Sequence, residues 1–221
     1  MAYVYPDVVR DDILRMIPPD GRVIGSVGCG CAATESVLVQ QGRLVHGVDI
    51  APEAISFART RLTSATLVTP GQTLPFAPAS LDGLILADVL EHLPQAWEVL
   101  QQYAEYIRPG GWVVISVPNM LWISAFYRYA IRGDWPEQDE GIFDKTHLQF
   151  MTHRRLERWC SDAGLVVERR FDSSGFITRH RKLIGVVLEA LTLFQLHNWW
   201  QARVQVRCRR PCSNAGNRES K

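Results

Sequence analysis

No run of about 18 uninterrupted apolar residues occurs, so no membrane-spanning helix is expected. Net charge is also scarce: 24 Lys and Arg stand against 23 Asp and Glu, a balance of +1 at pH 7. That balance by itself argues neither for nor against nucleic acid, and no nucleic-acid partner is expected. Cysteine is limited to five residues, an odd number, and no pair has the C-x-x-C spacing of a zinc or redox site. Cys29 and Cys31 share one glycine-rich turn, where a disulfide would be badly strained. Free thiols in a reducing, cytoplasmic setting fit this pattern. The opening MAYVYPDVVRDD has neither a basic n-region nor an apolar h-region, so it does not read as a signal peptide. No His, Asp or Glu group has metal-ligand spacing along the chain, and no metal is expected.

What is present is the alternation of an α/β protein. Hydrophobic residues make up 47% of the 221 and charged residues 21%, enough apolar material for one well-packed domain. The periodicity predicts a helix over 7–17, then strands at RVIGSVG, RLVHGVD, ATLVT, LDGLILAD and WVVISVP. Helices AATESVLVQQG, PEAISFARTRL and PQAWEVLQQYAEYI separate them. Strands apolar on both faces and divided by helices imply a parallel sheet covered on each side. Its ligand belongs at the carboxyl ends of the strands. Farther on, 119–133 reads as helical and aromatic, and 134–150 as a polar loop. THRRLERWCSDAGL is a helix with Thr152 as N-cap, and VVERRF is a sixth strand. LIGVVLEALTLF is an apolar helical stretch. QARVQVRCR alternates like an antiparallel edge strand, and a disordered tail is expected from Pro211. The domain is expected over 1–210, with 119–152 inserted on the acceptor side and 211–221 as tail.

The chemistry starts at VIGSVGCGCAATE, residues 23–35. A strand that runs into Gly-x-Gly and then a helix brings bare backbone and unpaired helix N–H groups close to a ligand. Gly28 and Gly30 meet that need. Asp49, 19 residues past Gly30, ends the second strand, where a carboxylate accepts hydrogen bonds from both hydroxyls of a ribose. Turn and acid together specify an adenosine-containing ligand, either a dinucleotide or S-adenosyl-L-methionine.

The string LPFAPASLDGLILADVLEHLPQAWEVLQQYAEYIRPGGWVVISVPN decides between them, because it resembles the class I S-adenosylmethionine-dependent methyltransferases. The resemblance covers roughly residues 20–170. It implies a doubly wound, Rossmann-like seven-stranded sheet, mostly parallel, here with an antiparallel C-terminal edge strand. It also implies that Gly28, Cys29 and Gly30 line the methionine end of the cofactor. Asp49 and Ile50 would hold the ribose and adenine, and Asp88, Val89 and Leu90 would sit below the sulfonium. A narrower resemblance lies in GIFDKTHLQFMTHRRLERWCSDAGL, which looks like the G-h-x-D-x-T-H-L-x-F-x-T block of small methyltransferases linked to glycan or cell-envelope synthesis. Asp144, Thr146, His147, Phe150 and Thr152 match it, and Met151 replaces its usual Phe.

Two departures stand out. Ser26 occupies the place where the family has an acid two residues before the first glycine, so a charge is missing from the cofactor site. After the third strand, VTPGQTLPF offers Gln72 and Thr73, and no carboxylate, to the adenine. For catalysis, a hydroxyl acceptor needs a base or a metal. His147 is the first candidate for base, with Asp144 orienting its imidazole, and His92 is the second. Glu91 is read as a cofactor contact or helix cap. Of Trp122, Phe126, Tyr127, Tyr129 and Trp135, an acceptor wall is one use, and core packing is favoured for most.

Eleven Lys and Arg against three Asp and Glu from Arg169 onward make the C-terminal quarter basic. With the apolar stretch 183–200, this suits peripheral contact with an anionic membrane, a homodimer interface, or packing on the sheet. The expected activity is O-methylation of a glycan, glycolipid or related small molecule from S-adenosylmethionine. The alternatives are an O-methyltransferase of quinones or aromatic metabolites, a non-catalytic cofactor-binding scaffold, and a dehydrogenase.

Overall fold

A computed structural model describes residues 7–70, 72–171 and 201–212. The expected helix 183–194 and most of the tail, 213–221, lie outside the described residues. The strands are β1 (Val23–Val27), β2 (Leu44–Asp49), β3 (Ser64–Leu67), β4 (Leu81–Ala87), β5 (Ile107–Pro118), β6 (Val166–Phe171) and β7 (Arg203–Arg209). The helices are α1 (Asp11–Leu14), α2 (Ala33–Gln40), α3 (Pro52–Arg61), α4 (Ala96–Tyr106), α5 (Ile123–Phe126), which continues as a wider turn to Ile131, and α6 (His153–Asp162).

The seven strands form one sheet in the order β3-β2-β1-β4-β5-β7-β6. Strands β1 to β5 pair in parallel, and β7 runs antiparallel to both β5 and β6. The chain winds outward from β1 through β2 to β3, returns to β4, and winds the other way. The β1–β4 junction is therefore the topological switch point, where the crevice opens at the carboxyl ends.

Alternate residues of the central strands point to opposite faces, and both faces are apolar. Leu84, Leu86, Val113, Ile115 and Val117 face one core, which α4 and α6 cover with Leu100, Ala104, Leu156 and Cys160. Ile85, Trp112 and Val114 face the other, which Ile13, Leu38, Ile55 and Ala58 cover. Gly83 is required here: a Cβ on it would lie 2.2 Å from the Trp112 indole.

Three expectations change. The first helix is confined to Asp11–Leu14, with the backbone N–H of its N-cap Arg10 donated to Thr34 Oγ1 at 3.0 Å. Strand β5 begins at Ile107, directly after α4, so RPGG lies within the strand instead of before it. Strand β7 is interior, and β6 holds the edge. Its alternation has another cause. Val204, Val206 and Cys208 enter the core. On the opposite face Gln205 donates to Asp12 at 2.7 Å, Arg207 to the Met16 carbonyl at 3.1 Å, and Arg209 to Asp20 at 2.7 Å. A polar cover from residues 12–20 produces the pattern that water produces at an edge.

Candidate active site

The glycine turn is tied to the end of β2. Gly28 and Cys29 donate backbone N–H bonds to the Val48 carbonyl at 2.8 and 3.2 Å. Gly30 N–H donates to Asp49 Oδ2 at 2.8 Å, and Ala51 N–H to Oδ1 at 3.0 Å. Asp49, 3% exposed, is thus fixed against the turn. Gly28 is exposed, its φ is +66°, and a Cβ on it would meet Val89 Cγ2 at 2.8 Å. The sequence-predicted residues Gly28, Gly30, Asp49 and Val89 are therefore brought together. Cys29 is buried beneath the turn. Burial pushes its thiol up, and the Glu35 and Asp49 carboxyls add to the effect, so it stays a neutral packing group.

Glu35 was missed from the sequence. It projects from the first turn of α2 into the buried space under the turn, where Ser26 Oγ donates to its Oε1 at 2.8 Å. Burial raises the Glu35 carboxyl, against the hydrogen bond from Ser26. A carboxyl thus stands against Ser26 itself, nine residues later in the chain. The signal was available: an acid in the first turn of the helix that follows the glycines.

Asp88 directly follows β4 with φ of +57°, a costly conformation for a residue with a Cβ. Arg10 donates to one of its carboxylate oxygens at 2.9 Å, and Arg203 pairs with the other. Arg10 also bonds Asp12 at 2.6 and 2.8 Å. Their shared carboxylate is not legible in the sequence, because the two arginines lie 193 residues apart and are joined only through Asp88. The basic C-terminal residues Arg170, Arg203, Arg207 and Arg209 all pair with acids of the domain, so their charge is structural.

The third group of residues joins the turn after β4 to the D-x-T-H loop. Leu148 and Gln149 N–H groups both donate to the Glu91 carbonyl, at 2.7 and 3.0 Å. This clamp sets the His147 ring against the His92 ring, with centroids 4.8 Å apart at 61°. The expected Asp144–His147 pair does not form. Asp144 Oδ1 instead accepts from the Thr146 N–H at 2.8 Å and from its hydroxyl at 2.7 Å. Thr146 Oγ1 lies 3.0 Å from His92 Nδ1, so Asp144 orients His92 through Thr146. His147 Nδ1 faces the Ile142 carbonyl at 3.3 Å. Burial lowers the His147 pKa, helped by His92, which keeps the imidazole neutral. The Glu91 carboxyl is buried at 1% exposure with neither oxygen hydrogen-bonded, and burial next to Asp88 raises its pKa.

Other candidates fall elsewhere. Ile50 is 60% exposed beside Asp49, an open apolar surface at the end of β2. Gln72 and Thr73 are exposed, and the Gln72 carbonyl oxygen is engaged by Thr69 at 3.1 and 3.2 Å. Leu90 is fully buried in the core, so its side chain packs beneath the site and presents no surface to a ligand. The aromatic set is not core: none of the five is buried, and Tyr127 and Trp135 are 53% and 44% exposed. Trp135 instead meets Phe143 and Phe150 edge-to-face at 5.1 and 5.2 Å, which makes an aromatic surface on the loop that carries His147.

A glycine turn and strand-terminal acid on this strand order define the fold of S-adenosylmethionine-dependent methyltransferases. The chain belongs to the methyltransferase-domain family, whose model matches residues 1–169. It is 27% identical over 164 residues to a ubiquinone biosynthesis O-methyltransferase of Xylella fastidiosa, covering 72% of this chain and 66% of that protein. A protein of the same name from Stutzerimonas stutzeri is 29% identical over 176 residues, covering 74% and 73%. The chain thus spans about two thirds of the length of these relatives. Among solved structures, a S-adenosylmethionine-dependent methyltransferase from Mesorhizobium loti superposes with a TM-score of 0.62 at 17% identity, over 90% of this chain and 96% of that one. One from Archaeoglobus fulgidus gives 0.59 at 17%, over 85% and 86%. No helix among the described residues is long and apolar enough to cross a membrane.

Proposed function

We propose that this protein methylates a hydroxyl group on an aromatic, quinone-type small molecule, with S-adenosylmethionine as methyl donor. The donor brings a methyl group on a positively charged sulfur, so the chain's task is to align the acceptor and deal with its proton. On the cofactor side, Gly28 and Gly30 offer bare backbone, Asp49 is the ribose acid and Ile50 the apolar surface for adenine. The cradle suits the ligand because a side chain at Gly28 would close it against Val89. On the acceptor side, His92 and His147 handle the hydroxyl, and the Trp135 surface packs on the aromatic ring.

The observation that carries this reading is the meeting of His92 and His147, held by the Glu91 carbonyl on a loop that also presents exposed aromatics. The names of the two ubiquinone-pathway relatives support an aromatic acceptor. Glu35 beneath the turn weighs against the scaffold alternative, since a carboxyl stands against Ser26. A second reading, a glycan hydroxyl, rests on the D-x-T-H block at 144–147. The test is calorimetric titration with S-adenosylhomocysteine, then a methyl-transfer assay with catechol-type and sugar acceptors side by side. Micromolar binding with turnover of the catechols supports the proposal. Turnover confined to sugars selects the glycan reading, and binding without any turnover removes the enzymatic one.

A further inference from the structure

We propose that Glu91, His92 and His147 form a binding site for a divalent transition-metal ion, which activates the acceptor hydroxyl. One donor atom from each residue lies within 4.8 Å of the other two. The protonation pattern suits coordination. Thr146 has a single hydroxyl proton, which goes to Asp144, so His92 Nδ1 must donate to Thr146 Oγ1. His147 Nδ1 faces a carbonyl and must donate as well. Nε2 of each ring is then the lone-pair nitrogen. Metal-bound histidines are held this way, with the second nitrogen tied to a carboxylate, hydroxyl or carbonyl.

Glu91 supplies the independent observation. Its two carboxylate oxygens are buried and make no hydrogen bond, a costly state for an acid. A cation between the carboxylate and the two imidazoles removes that cost. The ligands are also held before binding, since the Glu91 carbonyl clamps the segment after His147 at 2.7 and 3.0 Å. Two nitrogens and one carboxylate make a borderline donor set, which takes zinc or a neighbouring first-row ion and leaves a coordination position open. The open position suits an acceptor oxygen. A bound O–H becomes more acidic and loses its proton to water. The oxygen then forms a bond to the methyl carbon as the carbon–sulfur bond breaks, and that electron pair stays on sulfur. This role rests on the methyltransferase reading. The site itself does not, and sequence spacing concealed it because His147 lies 55 residues beyond His92.

The experiment is titration of the full, chelator-stripped chain with Co2+, read by visible d–d absorption and by metal analysis after dialysis. One equivalent is expected in the wild type, and none in Glu91→Gln or His147→Gln. His46→Ala, at the distant Ser64 contact, keeps full uptake. Thr146→Val, which removes the support of His92, weakens the affinity about 10- to 100-fold. Circular dichroism confirms folding of each variant. Wild-type protein that is folded yet takes up no Co2+ overturns the site, as does uptake that survives in both ligand variants. Calorimetry with S-adenosylhomocysteine on the same samples separates the two proposals. Binding of S-adenosylhomocysteine without cobalt removes only the metal; cobalt without S-adenosylhomocysteine removes the methyltransferase reading.

Discussion

The proposed cofactor side and the proposed acceptor side of this crevice are built by different means. On the cofactor side, Gly28, Gly30, Glu35 and Asp49 fall within 22 residues and are held by short-range bonds: Gly28 to the Val48 carbonyl, Gly30 to the Asp49 carboxylate, and Glu35 to the Ser26 hydroxyl. On the acceptor side, Glu91 and His92 meet His147 only because a long loop is clamped onto the turn after β4. The first side is rigid and local, and a single Cβ closes it. The second is assembled from distant side chains on a surface loop, the kind of element that opens most easily. Binding of the cofactor and handling of the acceptor should therefore fail separately.

The most severe break of the comparison is Gly28→Val. A branched side chain at φ +66°, 2.8 Å from Val89, combines backbone strain with overpacking. Together these cost about 2–5 kcal/mol, so S-adenosylhomocysteine affinity should drop by two or more orders of magnitude in calorimetry. His147→Ala tests the opposite side. Turnover should fall about 100-fold or more while S-adenosylhomocysteine affinity stays within roughly twofold. Parallel loss of both would mean that the two sides are one unit. Asp49→Asn sharpens the contrast more gently. It keeps the shape but removes the charge, and should weaken cofactor binding about 10- to 100-fold without altering the acceptor KM.

The same division explains what could be read from the sequence. The glycine turn and Asp49 were legible because their spacing is that of one strand–helix–strand unit, which fixes their geometry. Helices α2, α3, α4 and α6 were legible from apolar periodicity and from end signals such as Pro52 and Thr152, whose hydroxyl accepts from Arg155 N–H at 3.3 Å. The D-x-T-H loop was visible as a motif, yet its internal pairing was misread. A carboxylate three residues before a histidine suggested a direct bond, and the tight turn at Asp144 directs the carboxylate to Thr146 instead. The orphaned Glu91 and the Arg10–Asp88–Arg203 bridge depend on contacts across 56 to 115 residues, which no local pattern encodes. Strand β7 was placed at the edge because alternation cannot distinguish a solvent face from one covered by Asp12, Met16 and Asp20.

Residues 10–12 tie the two sides together, and pH tests how firmly. Arg10 reaches Asp88 beneath the crevice, while Asp12 takes Arg10 on one side and Gln205 of β7 on the other. Burial alone would raise the Asp12 carboxyl, but the hydrogen bond and charge of Arg10 prevail and hold it down at about 2. A carboxyl depressed in the folded state contributes stability that is fully present above its unfolded value, roughly 4, and is lost as pH falls through the folded value. The Tm of the wild type should therefore decline between about pH 4 and 2, a window set by that shift. Asp12→Asn has no proton to take up at this site. It should start from a lower Tm at neutral pH and decline less steeply over the same window. Equal slopes for the two proteins would mean that the Asp12 bridge opens in solution, and that α1 and β7 are held to the crevice by packing alone.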